Sequence, residues 1–323
     1  MSSHPESSLA SRGVENRSEV IGVDQAAGQR KSDLLGLFVA VVMASSAAGL
    51  MAAADAPALA IAFWRNGLAA LVLLPMIWKH RAAILNLSRQ QQSRMVLAGF
   101  FLGVHFACWV PSVKLTSIAA AASLVATQVV WAAVLAKLAG HAVPRQQAIG
   151  IAIALVGVIT LTGIDVSLTP SAIAGDALAL LGAMMAAAYM HQGQQVRSAL
   201  PLSAFTAVVY AAASVTLLVV CVVGGQQLIG YSPKAWMYIV AVTAMAQFGG
   251  HTLFNRALRS FSATAVSIAI LFQIPGGMLW GWAIIGQVPK AALLPAAALI
   301  AAGVVLVIRA ERPASVDADA LLD

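Results

Sequence analysis

Charge and cysteine are scarce in this sequence, and carboxylates are missing from its interior. Charged residues make up 10% of the chain, where an ordinary soluble domain carries about a quarter, so most of its length cannot present a conventional water-facing surface. The two cysteines, Cys108 and Cys221, lie inside apolar runs without metal-ligand spacing. That rules out a disulfide framework and a cysteine metal site, and leaves them as small packing residues. The twelve acidic residues all fall in polar tails or near the ends of apolar runs, with Asp33, Asp55 and Asp176 closest to the apolar interior. No deep carboxylate is available to carry a proton or hold a cation. His-Glu-x-x-His is absent, Ser and His find no third partner, and no metal, nucleotide or haem motif occurs, so neither an enzyme nor a cofactor is expected.

What fills the chain is apolar sequence, 60% of it. The apolar residues come in blocks of about 20, enough to cross a hydrocarbon core about 30 Å thick. In lipid the backbone must satisfy its own hydrogen bonds, and continuous rather than alternating runs select helices over a barrel. The expected fold is an all-α membrane protein with ten crossings: Leu34–Ala54, Pro57–Trp78, Met95–Val113, Ile118–Leu138, Gln146–Thr162, Gly175–Val196, Ala204–Val223, Ala235–Leu253, Thr264–Ile285 and Ala291–Ile308. Residues 1–30 are polar, lack the apolar core of a signal peptide, and are expected to form an unstructured tail, as is 309–323.

The net charge of +7 does not indicate nucleic acid, because the basic residues sit between apolar runs and form no patch interleaved with aromatics. They report topology instead. With the N-terminus placed in the cytoplasm, fifteen Lys and Arg fall inside, only Lys114, Lys234 and Lys290 fall outside, and Arg65 alone stays within the membrane. Both termini are therefore expected in the cytoplasm.

The chain also repeats itself at an offset of 145–146 residues. Gly103 pairs with Gly249, His105 with His251, Lys114 with Arg259, Ser117 with Ser262, Gln128 with Gln273, Gly140 with Gly286, and Gly157-Val158 with Gly303-Val304. Five crossings is an odd number, so the two halves, 34–163 and 174–308, are expected to be inverted repeats. Such repeats enclose a site near the midplane and support two states of similar energy, one open to each side.

Further motifs carry a resemblance. Phe63-Trp64-Arg65-Asn66-Gly67-Leu68-Ala69-Ala70 leading to Pro75, the run from Trp109 through Thr116-Ser117 into Ala119–Ala122, Gly175-Asp176, Asn255-Arg256-Ala257-Leu258-Arg259 and Ser262-Ala263-Thr264-Ala265 resemble the EamA-type family of the drug/metabolite transporter superfamily over about residues 34–308. Where that family usually has Gly-Glu after the fourth and ninth spans, this chain has Gly140-His141 and Gly286-Gln287, and Gln273 replaces the usual acid before the ninth-span proline. The resemblance implies export of amino acids or related metabolites across a bacterial cytoplasmic membrane. A sugar-phosphate or nucleotide-sugar exchanger would want more buried cations. A sensor or scaffold without transport leaves the duplication without a purpose.

Intramembrane polar residues are functional candidates by default. Arg65, about 12 Å into its span at 1.5 Å per residue, is suited either to a substrate carboxylate or to a structural bond with backbone carbonyls or Asp55. His105 and Trp109 share a face of the third span, and Gln247, His251 and Asn255 form a stripe on the eighth. They either line a cavity, with histidine able to titrate, or hydrogen-bond between helices. Tyr189, with His191 beside it, Gln128, Trp131 and Gln273 complete the cavity candidates. Pro275, Gly276 and Gly277 interrupt the ninth span as a candidate hinge. The spacing Gly150-x-x-x-Ala154 suits close helix packing within the chain or in a homodimer.

Overall fold

A computed structural model describes residues 6–116, 118–163, 169–286 and 288–311, with the side chains of 6–27, 113–114 and 118–119 left aside. The helices run in chain order as α1 (Glu6–Ala53), α2 (Ala58–Lys79), α3 (Arg81–Leu85), α4 (Arg89–Leu115), α5 (Ile118–Ala126), α6 (Gln128–Leu138), α7 (Arg145–Thr162), α8 (Pro170–Val196), α9 (Leu202–Val223), α10 (Pro233–Val242), a π-helical segment (Thr243–His251), α11 (Thr252–Ala257), α12 (Ala263–Ile270), α13 (Gln273–Ile285) and α14 (Leu293–Ala310). Local chemistry sets several starts. Ser88 and Gln91 form a reciprocal capping box on α4, while Thr169 caps α8 and Ser232 caps α10, each followed by proline in the first turn.

Among the described residues, nine helices are long and apolar enough to cross a membrane. The tenth crossing, expected over Ala235–Leu253, is a composite rod from Pro233 to Ala257. Its middle third is wound as a π-helix rather than an α-helix, so no uninterrupted α-helix of span length exists there. Between 22% and 50% of each crossing window is buried in the protein. The remainder faces outward with large apolar side chains such as Leu71, Val72, Val219 and Val222, the surface a helix needs in lipid.

The pattern of packing carries the inverted repeat. α4 lies along α8 as the π segment and α11 lie along α1, and α8 packs on α6 as α1 packs on α13. Two pairs, α2 with α9 and α7 with α14, pack each against its own counterpart, which places both on the axis that exchanges the halves. The contact between α7 and α14 shows the symmetry atom by atom. A Cβ on Gly157 would lie 2.9 Å from the Ala296 carbonyl oxygen, and one on Gly303 would lie 2.4 Å from the Gly150 carbonyl oxygen. At the 146-residue offset (157 to 303, 150 to 296) these are one contact seen from the two halves. The Gly150-x-x-x-Ala154 spacing is thus used inside the chain. Gly140 and Gly286 also match for a physical reason, since both hold positive φ, +85° and +71°, just beyond α6 and α13.

Several expectations need correction. The polar segment 6–30 is helical, continuous with the first crossing. No proline intervenes between Pro5 and Pro57, so nothing stops the membrane helix from propagating back into it. At the other end, Arg309 and Ala310 still belong to α14. Residues 1–5 and 312–323 of the expected tails, together with Ser117 and Gln287, lie outside the described residues.

The crowded crossing of α7 and α14 generates a prediction. Gly303→Leu forces two backbones apart and should destabilise the folded protein by about 1–3 kcal/mol, measured by thermal unfolding in detergent. Gly36→Ala, whose Cβ meets nothing within 4 Å, should leave the transition unmoved. Equal behaviour of the two variants would contradict the packing.

Candidate functional site

The polar interior is organised by one arginine. Arg65 on α2 is only 2% exposed. Its Nε donates to Gln247 Oε1 on the π segment at 2.9 Å, Gln247 Nε2 donates to Asn66 Oδ1 at 3.0 Å, and Asn66 Nδ2 donates to the Ala62 carbonyl at 2.8 Å. The partner is therefore Gln247 of the other half, not Asp55 or a backbone carbonyl. The guanidinium lies over the ring of Phe106 on α4, 4.9 Å from its centroid, a cation–π contact that partly replaces lost hydration. Arg65 Nη2 is buried and has no hydrogen-bond partner.

The π turn fixes Gln247 from behind. Its carbonyl accepts the Thr252 amide across five residues and also the Tyr210 hydroxyl at 3.2 Å, while Tyr210 Oη and Thr252 Oγ1 lie 2.9 Å apart. π segments often occur at functional positions because the extra residue per turn re-aims side chains. The Arg65–Phe106 contact joins the second and third crossings of the first half, and the Tyr210–Thr252 contact joins the corresponding crossings of the second, with different chemistry.

Phe106 gathers the two histidines. The His105 ring centroid lies 5.1 Å from that of Phe106, and the His251 ring meets Phe106 edge-on at 5.7 Å and Phe254 at 6.0 Å. His105 Nδ1 is 2.9 Å from the Gly182 carbonyl oxygen, so Nδ1 carries the donated proton and, in the neutral ring, Nε2 is left as an acceptor. The same ring stacks parallel on Trp109 at 6.2 Å. His251 Nδ1 is buried without a partner. One helical repeat further along the stripe, Asn255 Oδ1 accepts the Tyr189 hydroxyl at 2.5 Å, and the Asn255 carbonyl accepts Arg197 Nε at 2.9 Å.

Arg65, His105, Trp109, Tyr189, Gln247 and His251 therefore converge around Phe106 and the Gln247–Asn255 stripe. The other sequence candidates do not join them. Among the described residues, no hydrogen bond or ring contact links Gln128, Trp131, His191 or Gln273 to this group. Since Gly182 lies against His105 and Gly175 against Thr116, α8 runs antiparallel to α4. His191 is thus about 13 Å from the His105 level at 1.5 Å per residue, toward Arg94. Gln128 and Gln273 share a different feature. Each opens the second segment of an interrupted crossing, α5 to α6 and α12 to α13. The break before α13 falls at Leu271, whose carbonyl the Pro275 ring would meet four residues on. Gly276 and Gly277 lie within α13 beyond it. The break at Thr127 has no proline, and there Thr127 Oγ1 bonds back to the Leu124 carbonyl at 2.6 Å.

Four participants were not singled out from the sequence: Asn66, Phe106, Tyr210 and Thr252. Asn66 and Phe106 are chain neighbours of Arg65 and His105, so position alone could have flagged those two. Among the described residues no cluster of His, Cys, Asp and Glu could hold a metal.

Contacts join the two halves on either side of the group. At the end bearing the termini, Arg256 Nε pairs with Asp33 Oδ1 at 2.7 Å, and Ser260 Oγ donates to Asp33 Oδ2, tying α1 to the second half. At the opposite end Trp64 Nε1 donates to the Leu228 carbonyl at 2.7 Å and meets Trp236 edge-on at 5.0 Å, tying α2 to the start of α10. Two surface grooves, one along α2 at Leu71, Pro75 and Trp78 and one at Ser88, Arg94 and Gln195, lie away from this interior.

If the arginine network joins the halves, Gln247→Leu, which strips Arg65 Nε of its acceptor, should lower stability by about 1–3 kcal/mol. Gln247→Glu should not. Thermal unfolding of the two variants decides it, and a Gln247→Leu protein as stable as the parent would refute the role.

The comparisons agree with this architecture. A solved crystal structure whose description names only a protein superposes with a TM-score of 0.71 at 16% identity, covering 85% of this chain and 96% of that one, a likeness of fold. No curated protein matches the chain in sequence. The profile of the EamA-like transporter family matches twice, over residues 30–163 and 173–309, once for each half, and the chain belongs to that family.

Proposed function

We propose that this protein is a secondary transporter that exports amino acids or related small metabolites by alternating access across a bacterial cytoplasmic membrane, with both termini in the cytoplasm. The observation that carries the reading is a buried polar group at the seam of two inverted halves, closed at one end by Asp33–Arg256 and at the other by Trp64–Leu228. Opening either seal while the other holds exposes the same residues to one side at a time, which is what inverted repeats make energetically balanced. The charge asymmetry of the loops supports the orientation. Arg65, His105, Trp109, Tyr189, Gln247 and His251 are the proposed solute-contacting residues. Gln128, Trp131, His191 and Gln273 would come into play along the path rather than at the central station, and Pro275 with Gly276 and Gly277 would flex between α12 and α13.

The test is counterflow in proteoliposomes loaded with unlabelled amino acids, with labelled solute added outside. Accumulation should exceed that of empty liposomes for at least one amino acid. His105→Ala and His251→Ala should reduce it about tenfold or more, the loss of roughly one well-placed polar contact at 1.4 kcal/mol per factor of ten, with insertion into the membrane unchanged. Full flux in both variants would exclude the histidines from the path.

A further inference from the structure

Arg65 poses a chemical question that the protein alone does not answer. A guanidinium brings five donors in a planar fork and a charge it does not give up. Here Nε is spent on the neutral Gln247 side chain, the flat face on Phe106, and Nη2 on nothing, in a residue 2% exposed. A buried cation without a counter-charge is among the costlier arrangements a fold can hold. Of the acidic side chains described, Asp33, Asp55 and Glu311 stand at span ends or beyond, and Asp33 already has Arg256; Asp176 lies within α8 with Oδ1 buried and unpartnered, and none of the four is hydrogen-bonded or paired to Arg65. His251, whose buried Nδ1 also lacks a partner, packs T-shaped with the same Phe106 ring. Two side chains from the two halves, each with an unpartnered buried nitrogen, thus meet one aromatic ring.

We infer that the solute is recognised by a carboxylate docking between Arg65 Nη2 and His251, and that the site makes no corresponding charge contact with an ammonium group. This rests on the transport reading above and names the chemical class within it: monocarboxylates, amino acids included, bound by the acid end. A carboxylate accepts from Arg65 Nη2 and from His251 Nδ1 in its protonated form, and it supplies the missing negative charge. An ammonium has three donors to satisfy, and the groups that touch Arg65, Phe106 and His251 offer it neutral acceptors only. The ring faces of Phe106, Trp109 and His105 suit an aromatic or apolar remainder on the solute.

The experiment uses the full chain and three compounds of nearly one shape: L-phenylalanine, 3-phenylpropionate, which lacks the amine, and phenethylamine, which lacks the carboxylate. Each competes against labelled L-phenylalanine counterflow, and each is added to the detergent-purified protein in a thermal-shift measurement. 3-Phenylpropionate should act within a few-fold of phenylalanine. Phenethylamine should be weaker by on the order of tenfold to a hundredfold, the range expected for hydrogen bonds to a charged group. Arg65→Lys, which keeps the charge and loses the fork, should compress that ratio without inverting it.

Phenethylamine acting as well as the two acids, or a ratio unchanged in Arg65→Lys, overturns the inference, as does no thermal shift with either acid. The wild-type ratio needs no variant to fold. A shift with the acids but no flux of any solute would sink transport and leave the carboxylate site. Flux indifferent to the carboxylate would sink the site and leave transport.

Discussion

The hydrogen bond from Arg65 Nε to Gln247 Oε1 is the constraint around which the interior is arranged. It joins a side chain of the first half to one of the second across 182 residues of sequence. It also requires a π turn to present Gln247, an aromatic ring to cover the guanidinium, and a second amide, Asn66, to hold Gln247 in place. A charge at this depth is tolerable only while its surroundings remain closed to lipid. The contacts Asp33–Arg256 and Trp64–Leu228, which also join the halves, lie on either side of that network.

Pseudo-symmetry explains how such an interior is built from a duplicated sequence. On the axis, α7 and α14 meet through glycines, so the halves approach until backbone touches backbone. Near the axis, α2 and α9 meet with different polar side chains, Arg65 in one half and Tyr210 in the other. Away from it, His105 and His251 remain identical but unequal in circumstance, one bonded to the Gly182 carbonyl and the other without a partner. Duplication supplied the frame, and departures from symmetry supplied the chemistry.

Much of this was legible in the residues. Apolar blocks between basic loops mark the crossings, and matched His, Gln and Gly at a fixed offset mark the inverted halves, because lipid and symmetry each constrain sequence directly. Arg65 and the Gln247–His251–Asn255 stripe stood out because a polar side chain in hydrocarbon needs a reason. The π winding of 243–251 was not legible, since Gly249 and Gly250 permit it without demanding it. Phe106 was hidden by its ordinariness, an apolar residue in an apolar run whose role lies in what surrounds it. The helical course of 6–30 was missed because composition describes solvation, while continuity with a membrane helix governs propagation.

The central claim is that one buried polar group serves both sides of the membrane in turn. A single cysteine at position 251, in a chain with Cys108 and Cys221 replaced by serine, can be treated in oriented vesicles with a membrane-impermeant thiol reagent from one face and then the other. The account predicts reaction from either face as the empty protein alternates, and protection from both when it is held closed. Reaction from one face only, or from neither face under any condition, would contradict it.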